Sequence, residues 1–426
     1  MGIFKSYGRP CRADRSYITF IFTNQPIYMN KLFITDIDVR KKRVMVRTDY
    51  NVPLDENGNI TDDARIRATL PTINHLLDED AKVIIASHLG RPEGKANPKY
   101  SLKPVARRLQ GFLKERANVI MADDCIGPKI KKQIEEMRCG DVIVLENLRF
   151  YPGEEKNDPS FAKELAMLCD VFIQDAFGNC HRKHASMIGI DGFVPSAAGF
   201  LLKKEIDYFE KAVNNPMRPV VALLGGAKVS DKIKIIENLS KKMDKILIGG
   251  AMAFTFLKAQ GFGVGQSIVE NSMLDVVKNL MDISKRNGTK LYLPVDFVVA
   301  EKFDSHAETK VVPFQEIPEK WIALDIGPAT TKLFAEALQD AKTILWNGPM
   351  GAFEFDAFSR GTYAMVDVVT SSHASTIVGG GDTDMAFHKS GKTHEVSFIS
   401  TGGGAFLKLL EGGNLPGIAS LLDKKT

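Results

Sequence analysis

The feature that most constrains this fold is a repeated alternation of short β-branched runs with amphipathic helical stretches. The runs fall at 42–48, 82–87, 118–121, 141–146 and 171–174, and helical patterns fall near 63–77, 102–113, 128–137 and 161–168. The rhythm resumes with runs at 219–224, 245–248, 290–295, 321–324, 343–346, 375–378 and 396–399. Strands that are apolar on both faces are covered on both sides, and strands separated by helices pair in parallel. A chain of 426 residues also exceeds the ~250–300 at which single cores stop growing. The pattern predicts an α/β protein with two Rossmann-like, doubly wound parallel-sheet domains. Residues 29–197 would form the first domain and 214–411 the second, joined by a hinge helix over 198–213, with 412–426 returning to the first.

Composition narrows the class. A net charge of +4 over this length gives no reason to expect nucleic-acid or membrane binding, so any electropositive site must be local. No apolar run approaches the ~18–20 residues of a membrane span. Cys11, Cys125, Cys139, Cys169 and Cys180 are odd in number and lack zinc or C-x-x-C spacing, which reads as free thiols in a reducing, cytoplasmic setting. Residues 1–28 are basic, with Lys5, Arg9, Arg12 and Arg15 against Asp14, and contain a short apolar stretch. They read as a disordered extension, or as translation from an upstream start with Met29 the working start. A targeting segment is the alternative, but no clear small-residue cleavage site follows.

The anion-binding signals divide between the halves. The first half has Asp49-Tyr50-Asn51, Ser87-His88-Leu89-Gly90-Arg91-Pro92, Asn147-Leu148-Arg149-Phe150 and His181-Arg182. The second has Gly225-Gly226-Ala227-Lys228-Val229-Ser230-Asp231-Lys232, Gly379-Gly380-Gly381-Asp382-Thr383 and Gly402-Gly403-Gly404. Guanidinium forks hold carboxylate and phosphate, whereas glycine turns opening helices hold phosphate on backbone N–H groups. Each cluster falls at or past a strand end, where ligands bind in such folds. Two anionic ligands, one per half, with a group moving between them, is the chemistry this arrangement suggests.

These motifs, in this order, resemble phosphoglycerate kinases over essentially 29–426. The resemblance is carried also by Arg47-x-Asp49-x-Asn51-Val52-Pro53, Asp175-Ala176-Phe177-Gly178, Trp346-Asn347-Gly348-Pro349-x-Gly351-x-Phe353-Glu354 and Ser400-Thr401. It implies a hinge-bending monomer that transfers a phosphoryl group reversibly from 1,3-bisphosphoglycerate to Mg-ADP, giving 3-phosphoglycerate and ATP. It implies that Asp49, Asn51, Arg65, His88, Leu89, Gly90, Arg91, Arg149 and Arg182 hold the acid-sugar. Lys232, Glu354, Gly380, Gly381, Asp382 and Thr383 would hold the nucleotide, Glu354 at the ribose hydroxyls and Asp382 on Mg²⁺. Arg65, Lys228 and Gly403 would surround the group in flight. The residue chemistry agrees: phosphoryl transfer needs positioning and charge neutralisation, and an ionised ADP oxygen requires no general base. Lys228 and Lys232, four apart after a glycine turn, are expected on one helix face.

Two lookalikes fail on context. Ser390-Gly391-Lys392-Thr393 imitates a P-loop terminus but has Ala386 where the first glycine is required, and Gly261-x-Gly263-x-Gly265 follows a helix rather than a strand. His181 and His184 could suggest a metal pair, yet Arg182 and Lys183 between them favour an anion-facing loop. Thr48, Tyr50, Asn179, Cys180, Lys183, Asp384, Phe406 and Lys408 depart from commoner family residues. Asp384 either faces solvent and favours the helix N-terminus, or faces inward and opposes nucleotide phosphates. A nicotinamide dehydrogenase would share the fold class but needs a glycine fingerprint absent here; a dead binding module would be expected to lack Arg65, Lys228 or Asp382.

Overall fold

The computed structural model describes residues 30–424; the reading of the leading segment lies outside them. The first sheet comprises Arg43–Arg47 (β1), Lys82–Ala86 (β2), Val119–Met121 (β3), Val142–Val144 (β4), Val171–Gln174 (β5) and Ser196–Ala198 (β6), all parallel, in the order β3-β4-β2-β1-β5-β6. Its strands are Val- and Ile-rich because helices cover both faces: Val44, Val46, Val83 and Ile85 pack on one side, and Met45, Ile84 and Ile143 on the other.

The second sheet is built from Val220–Leu224 (β7), Lys245–Ile248 (β8), Lys290–Tyr292 (β9), and then, after an excursion, Thr343–Asn347, Ser375–Gly379 and Phe398–Ile399. The excursion is a three-stranded antiparallel sheet of Asp296–Ala300 (β10), Thr309–Pro313 (β11) and Ile322–Ile326 (β12), ordered β11-β10-β12. Numbering the remaining strands β13, β14 and β15, the main sheet runs β15-β14-β13-β7-β8-β9, again parallel throughout. The chain leaves β7 on one side and returns to it on the other as β13. That reversal opens a crevice at the carboxyl ends of β7 and β13, where doubly wound folds take ligands.

Three details differ from the sequence reading. The run at 321–324 belongs to β12 in the small sheet, not to the parallel sheet, and β10 and β11 carry no helix between them to announce a parallel partner. The stretch 198–213 is not one helix. Ala198 ends β6, the α-helix covers Phe200–Phe209, and a π-turn follows over Glu210–Asn214. That helix begins with no capping side chain of its own; Thr72 Oγ1 accepts the N–H of Phe200 and Asp175, just past β5, accepts that of Leu202. Leu202, Ile206 and Phe209 share one core with Val220, Leu224 and Ile236 of the second half.

The final described residues lie against the first half. Leu32 N–H donates to Leu422 O at 2.8 Å, Gly417 N–H to Cys180 O at 2.9 Å, and Lys31 Nζ to Ala419 O and Leu421 O at 2.9 and 2.8 Å. The four described cysteines are free, and no described helix is long and apolar enough to cross a membrane.

Candidate active site

The first cluster gathers at the carboxyl ends of β1, β2, β4 and β5. Asp49, after β1, accepts Arg65 Nη1 at 2.9 Å, and the same nitrogen donates to Asn51 O at 3.2 Å. Asn51 Oδ1 accepts Gly90 N–H at 2.7 Å, and Gly90 O accepts Arg149 Nη1 at 2.9 Å. Gly90 is at φ +62°, and a Cβ there would lie 2.3 Å from the Tyr100 ring, so only glycine makes this turn. Asn147 fixes the neighbouring loop by donating to Leu89 O and Tyr100 O, at 2.7 and 2.9 Å. Arg149 is buried, and burial beside Arg47 pushes it down to about 10. Arg149 Nη2 and Arg182 Nε are buried donors with no hydrogen-bond partner. Orphaned guanidinium donors at a strand-end cleft are what an anionic ligand would satisfy.

Two members behave otherwise than expected. His88 is buried, and burial together with Arg47, Arg149, His184 and Arg182 holds it well below its ordinary value. These surroundings disfavour the imidazolium, so the ring is suited to a hydrogen bond rather than to carrying charge. Arg91 is exposed and makes no hydrogen bond or ion pair among the described residues, so the structure does not join it to the others.

Beneath this cluster lies a buried network to which the sequence reading gave no role. Arg47, fully buried at the end of β1, lies 3.7 Å from Glu154 Oε1, donates to Ser186 Oγ at 2.7 Å and approaches His88 Nδ1 at 3.5 Å. Glu154 accepts the N–H and Oγ of Ser186 at 2.9 and 2.6 Å. Burial opposes its charge, yet His184, Arg47 and Ser186 hold its carboxyl below the usual range. The signal available was an arginine directly after the apolar run Val44-Met45-Val46, a residue type seldom buried unpaired.

The second cluster surrounds the β7/β13 crevice, a cleft of about 790 Å³. Gly225 N–H donates to Asn347 O at 3.0 Å, and a Cβ on Gly225 would lie 2.0 Å from Pro349 O, so the two turns interlock through bare backbone. Gly380, at φ +100°, caps the helix Gly381–Ser390, and Thr383 Oγ1 accepts Gly348 N–H at 2.7 Å. Lys228 and Lys232 do not share a helix face: the helix begins only at Ile233. Lys232 is buried with Nζ donating to Asn347 Oδ1, and burial pushes it down to about 8 against the pull of Asp231 and Asp382. Lys228 is exposed on the turn. Asp382 is exposed at the second position of its helix, while Glu354 is exposed in a separate turn beyond the cleft.

No group of three potential metal ligands occurs among the described residues. A lone carboxylate beside a phosphate-sized glycine cradle suits a hard cation that takes most of its oxygens from phosphate and water, as Mg²⁺ does. Asp384 does not line the glycine cleft: partly exposed, it pairs with His388 at 3.4 Å, and its carboxyl is pushed up by burial and also feels Asp62 and Arg65 of the first half.

The two clusters meet. The helix Gly403–Leu410 opens at Gly402, where a Cβ would lie 2.8 Å from Gly178 Cα, and a Cβ on Gly404 would lie 3.2 Å from the His181 ring. A Cβ on Gly403 would lie 3.7 Å from Gly380 Cα, so this helix end reaches both clusters. Phe406, one of the unusual residues, fills the space over Gly379, where a Cβ would meet its ring at 2.2 Å. Tyr50, another, is a core residue whose hydroxyl bonds Thr69 Oγ1 at 2.7 Å.

The family model for phosphoglycerate kinase matches residues 34–413. The chain belongs to the phosphoglycerate kinase family. It is 59% identical over 397 residues to the phosphoglycerate kinase of Geotalea uraniireducens, covering 93% of this chain and 99% of that one. It is 55% identical over 398 residues to that of Aquifex aeolicus, covering 93% and 100%. The solved structure of phosphoglycerate kinase from Coxiella burnetii superposes with a TM-score of 0.84 at 41% identity, covering 92% of this chain and 98% of that one. That of the Pyrococcus horikoshii family member gives 0.75 at 33% identity, with the same coverages. Family membership makes this chain a phosphotransferase with two parallel-sheet α/β halves. A further concavity of about 1830 Å³ in the first half, lined by Leu54, Tyr100, Arg107 and Phe112 among others, touches the strand-end cluster at Asn51, Leu89 and Gly90.

Proposed function

We propose that the chain catalyses reversible phosphoryl transfer from 1,3-bisphosphoglycerate to Mg-ADP, as a monomeric glycolytic and gluconeogenic enzyme of the cytoplasm. The units would be 29–197, holding the acid-sugar, and 214–411, holding the nucleotide. Residues 198–213 would be the hinge, and 412–426 would lie back on the first unit. The supporting observation is that orphaned guanidinium donors at the first sheet and a glycine-lined cleft with Lys232 at the second meet through Gly178 and Gly402.

Asp49, Asn51, His88, Gly90 and Leu89 would orient the hydroxyl and carboxyl end, with Arg65, Arg149 and Arg182 on its charges; Arg91 would join them only on ligand binding. Lys232, Gly380, Gly381 and Thr383 would hold the diphosphate, and Glu354 the ribose. Mg²⁺, when bound at Asp382, would neutralise charge on the diphosphate. An ADP oxygen attacks the acyl phosphorus, the bond to the carboxyl oxygen breaks, and 3-phosphoglycerate leaves as a carboxylate; no phosphoenzyme forms. Arg65, Lys228 and the N–H groups at Gly403 would stabilise charge on the group between donor and acceptor. Holding the reactants in separate units means that closure must both align them and exclude water. The test is Mg²⁺-dependent ATP formation from 1,3-bisphosphoglycerate and ADP by the full chain. Absence of ATP formation would overturn the reading.

A further inference from the structure

The turn that bears Lys228 is tied down on only one side by the crevice. Gly226 N–H donates to Pro349 O at 3.2 Å and Gly226 O accepts Met252 N–H at 3.1 Å, which fixes its start. Ala227 and Lys228 are then exposed. The far side is held by Val229, buried in the core with its carbonyl accepting Lys232 N–H at 2.8 Å, and, beyond it, by a residue distant in sequence, Glu270. Its Oε2 accepts Ser230 N–H at 3.0 Å and its Oε1 accepts Ser230 Oγ at 2.6 Å. Burial opposes the charge of this half-buried carboxylate. The two Ser230 bonds, the Val229 amide and the nearby Lys228 ammonium outweigh burial and keep it below its ordinary range. Glu270 is itself anchored: its N–H donates to Thr255 Oγ1 at 3.2 Å, on the helix Met252–Ala259, and its carbonyl accepts Met273 N–H at 2.9 Å.

We propose that Glu270 is a positioning residue for phosphoryl transfer: by gripping Ser230 through both its donors, it fixes the exposed arm of the turn on which Lys228 is carried. A carboxylate held by two donors of one residue sets orientation as well as distance, and a long, flexible lysine gains most from a rigid base. Glu270 has no place in either ligand cluster, so its influence should fall on the placement of Lys228 and not on ligand affinity. The inference rests on the reading of Lys228 as a group that acts on the phosphoryl in flight.

The test compares steady-state kinetics of the full-length parent, Glu270→Ala, Glu270→Gln, Ser230→Ala, Ser230→Thr and Lys228→Ala. Glu270→Ala should lower kcat by about ten- to a hundredfold, the scale on which an ångström of misplacement slows a positioned reaction. The Michaelis constants for 3-phosphoglycerate and ATP should stay within about twofold. Ser230→Ala should behave in the same direction, Ser230→Thr should restore the rate, and the Glu270→Ala/Ser230→Ala double variant should be no slower than the worse single. Glu270→Gln, which keeps one acceptor oxygen and the side-chain volume, should fall between parent and Glu270→Ala. Parent-like kcat in Glu270→Ala and Glu270→Gln, with Lys228→Ala slow, overturns the positioning role alone. Parent-like kcat in Lys228→Ala overturns the reading on which it rests. A rate loss in Glu270→Ala matched by lowered thermal stability, with Ser230→Thr as slow as Ser230→Ala, makes Glu270 structural only and overturns the proposal.

Discussion

Lys232 Nζ donates to Asn347 Oδ1, joining the turn after β7 to the end of β13 across the switch point of the second sheet. Asn347 in turn donates through Nδ2 to Gly379 O at 2.7 Å, so one asparagine ties the lysine to the glycine turn that opens the Asp382 helix. The cradle is therefore held together by the protein's own hydrogen bonds.

Because burial pushes Lys232 down to about 8, its ammonium is lost as pH rises through that value in the free enzyme. Affinity for Mg-ADP should weaken progressively from pH 8 to pH 9.5 in the parent. Lys232→Arg, charged throughout, should show a flat profile over the same range, if at lower affinity. Titration calorimetry at the two pH values checks this; equal slopes would remove Lys232 from phosphate binding.

Arg149→Ala and Arg182→Ala should each raise the Michaelis constant for 3-phosphoglycerate by about ten- to a hundredfold, the worth of one charge-assisted hydrogen bond. The constant for ATP should change little, because both arginines lie at the first sheet. Comparable rises for both substrates would show that the ligands are not partitioned between the halves.

Asp382→Asn should fold as the parent does, since the exposed side chain caps nothing, but should use Mg-nucleotide poorly because the amide has lost its charge. Activity titrated against Mg²⁺ is the measurement. An unchanged titration would take Asp382 out of the metal site.

Glu205, buried on the helix Phe200–Phe209, accepts Thr401 N–H and Oγ1 at 2.7 and 2.8 Å, and burial pushes it up to about 7 against those bonds. Its folded value lies above the unfolded 4.5, so the folded state binds the extra proton between roughly pH 4.5 and 7. Its contribution to stability thus falls as pH rises through that window, by on the order of 3 kcal/mol, and is constant above it. Glu205→Gln, a mimic of the protonated form, should gain in melting temperature relative to the parent as pH goes from 5 to 8. A difference independent of pH would show that Glu205 is ionised throughout.

Most of the architecture was legible because both main sheets are buried on both faces, which writes each strand as an unbroken apolar run such as 44–46 or 220–224. The excursion was not. Val311 is exposed on the edge strand β11, so no apolar run marks it, and β12 looks like any other short run. In the candidate site, the two clusters were visible as glycine turns and cationic residues at strand ends. Burial was invisible. Sequence spacing alone could not show that the surroundings of His88 disfavour its charge, that Lys232 lies inside and Lys228 outside, or that Glu154, four residues past the Asn147–Phe150 motif, is the counter-charge to Arg47.

The space at Gly402 is bounded by the Phe177 ring, 2.5 Å from where a Cβ would lie, and by the backbone of Gly178. A single methyl at Gly402 would act as a shim between the halves, with its Cβ 2.8 Å from Gly178 Cα. The ligands would still be grasped, but the halves could no longer seat fully at the meeting point, and exclusion of water there would weaken. Gly402→Ala is therefore expected to convert part of the kinase into a leaky acyl phosphatase, seen as inorganic phosphate released in place of ATP. Fidelity toward the acceptor would then depend less on any charged group than on two missing side chains.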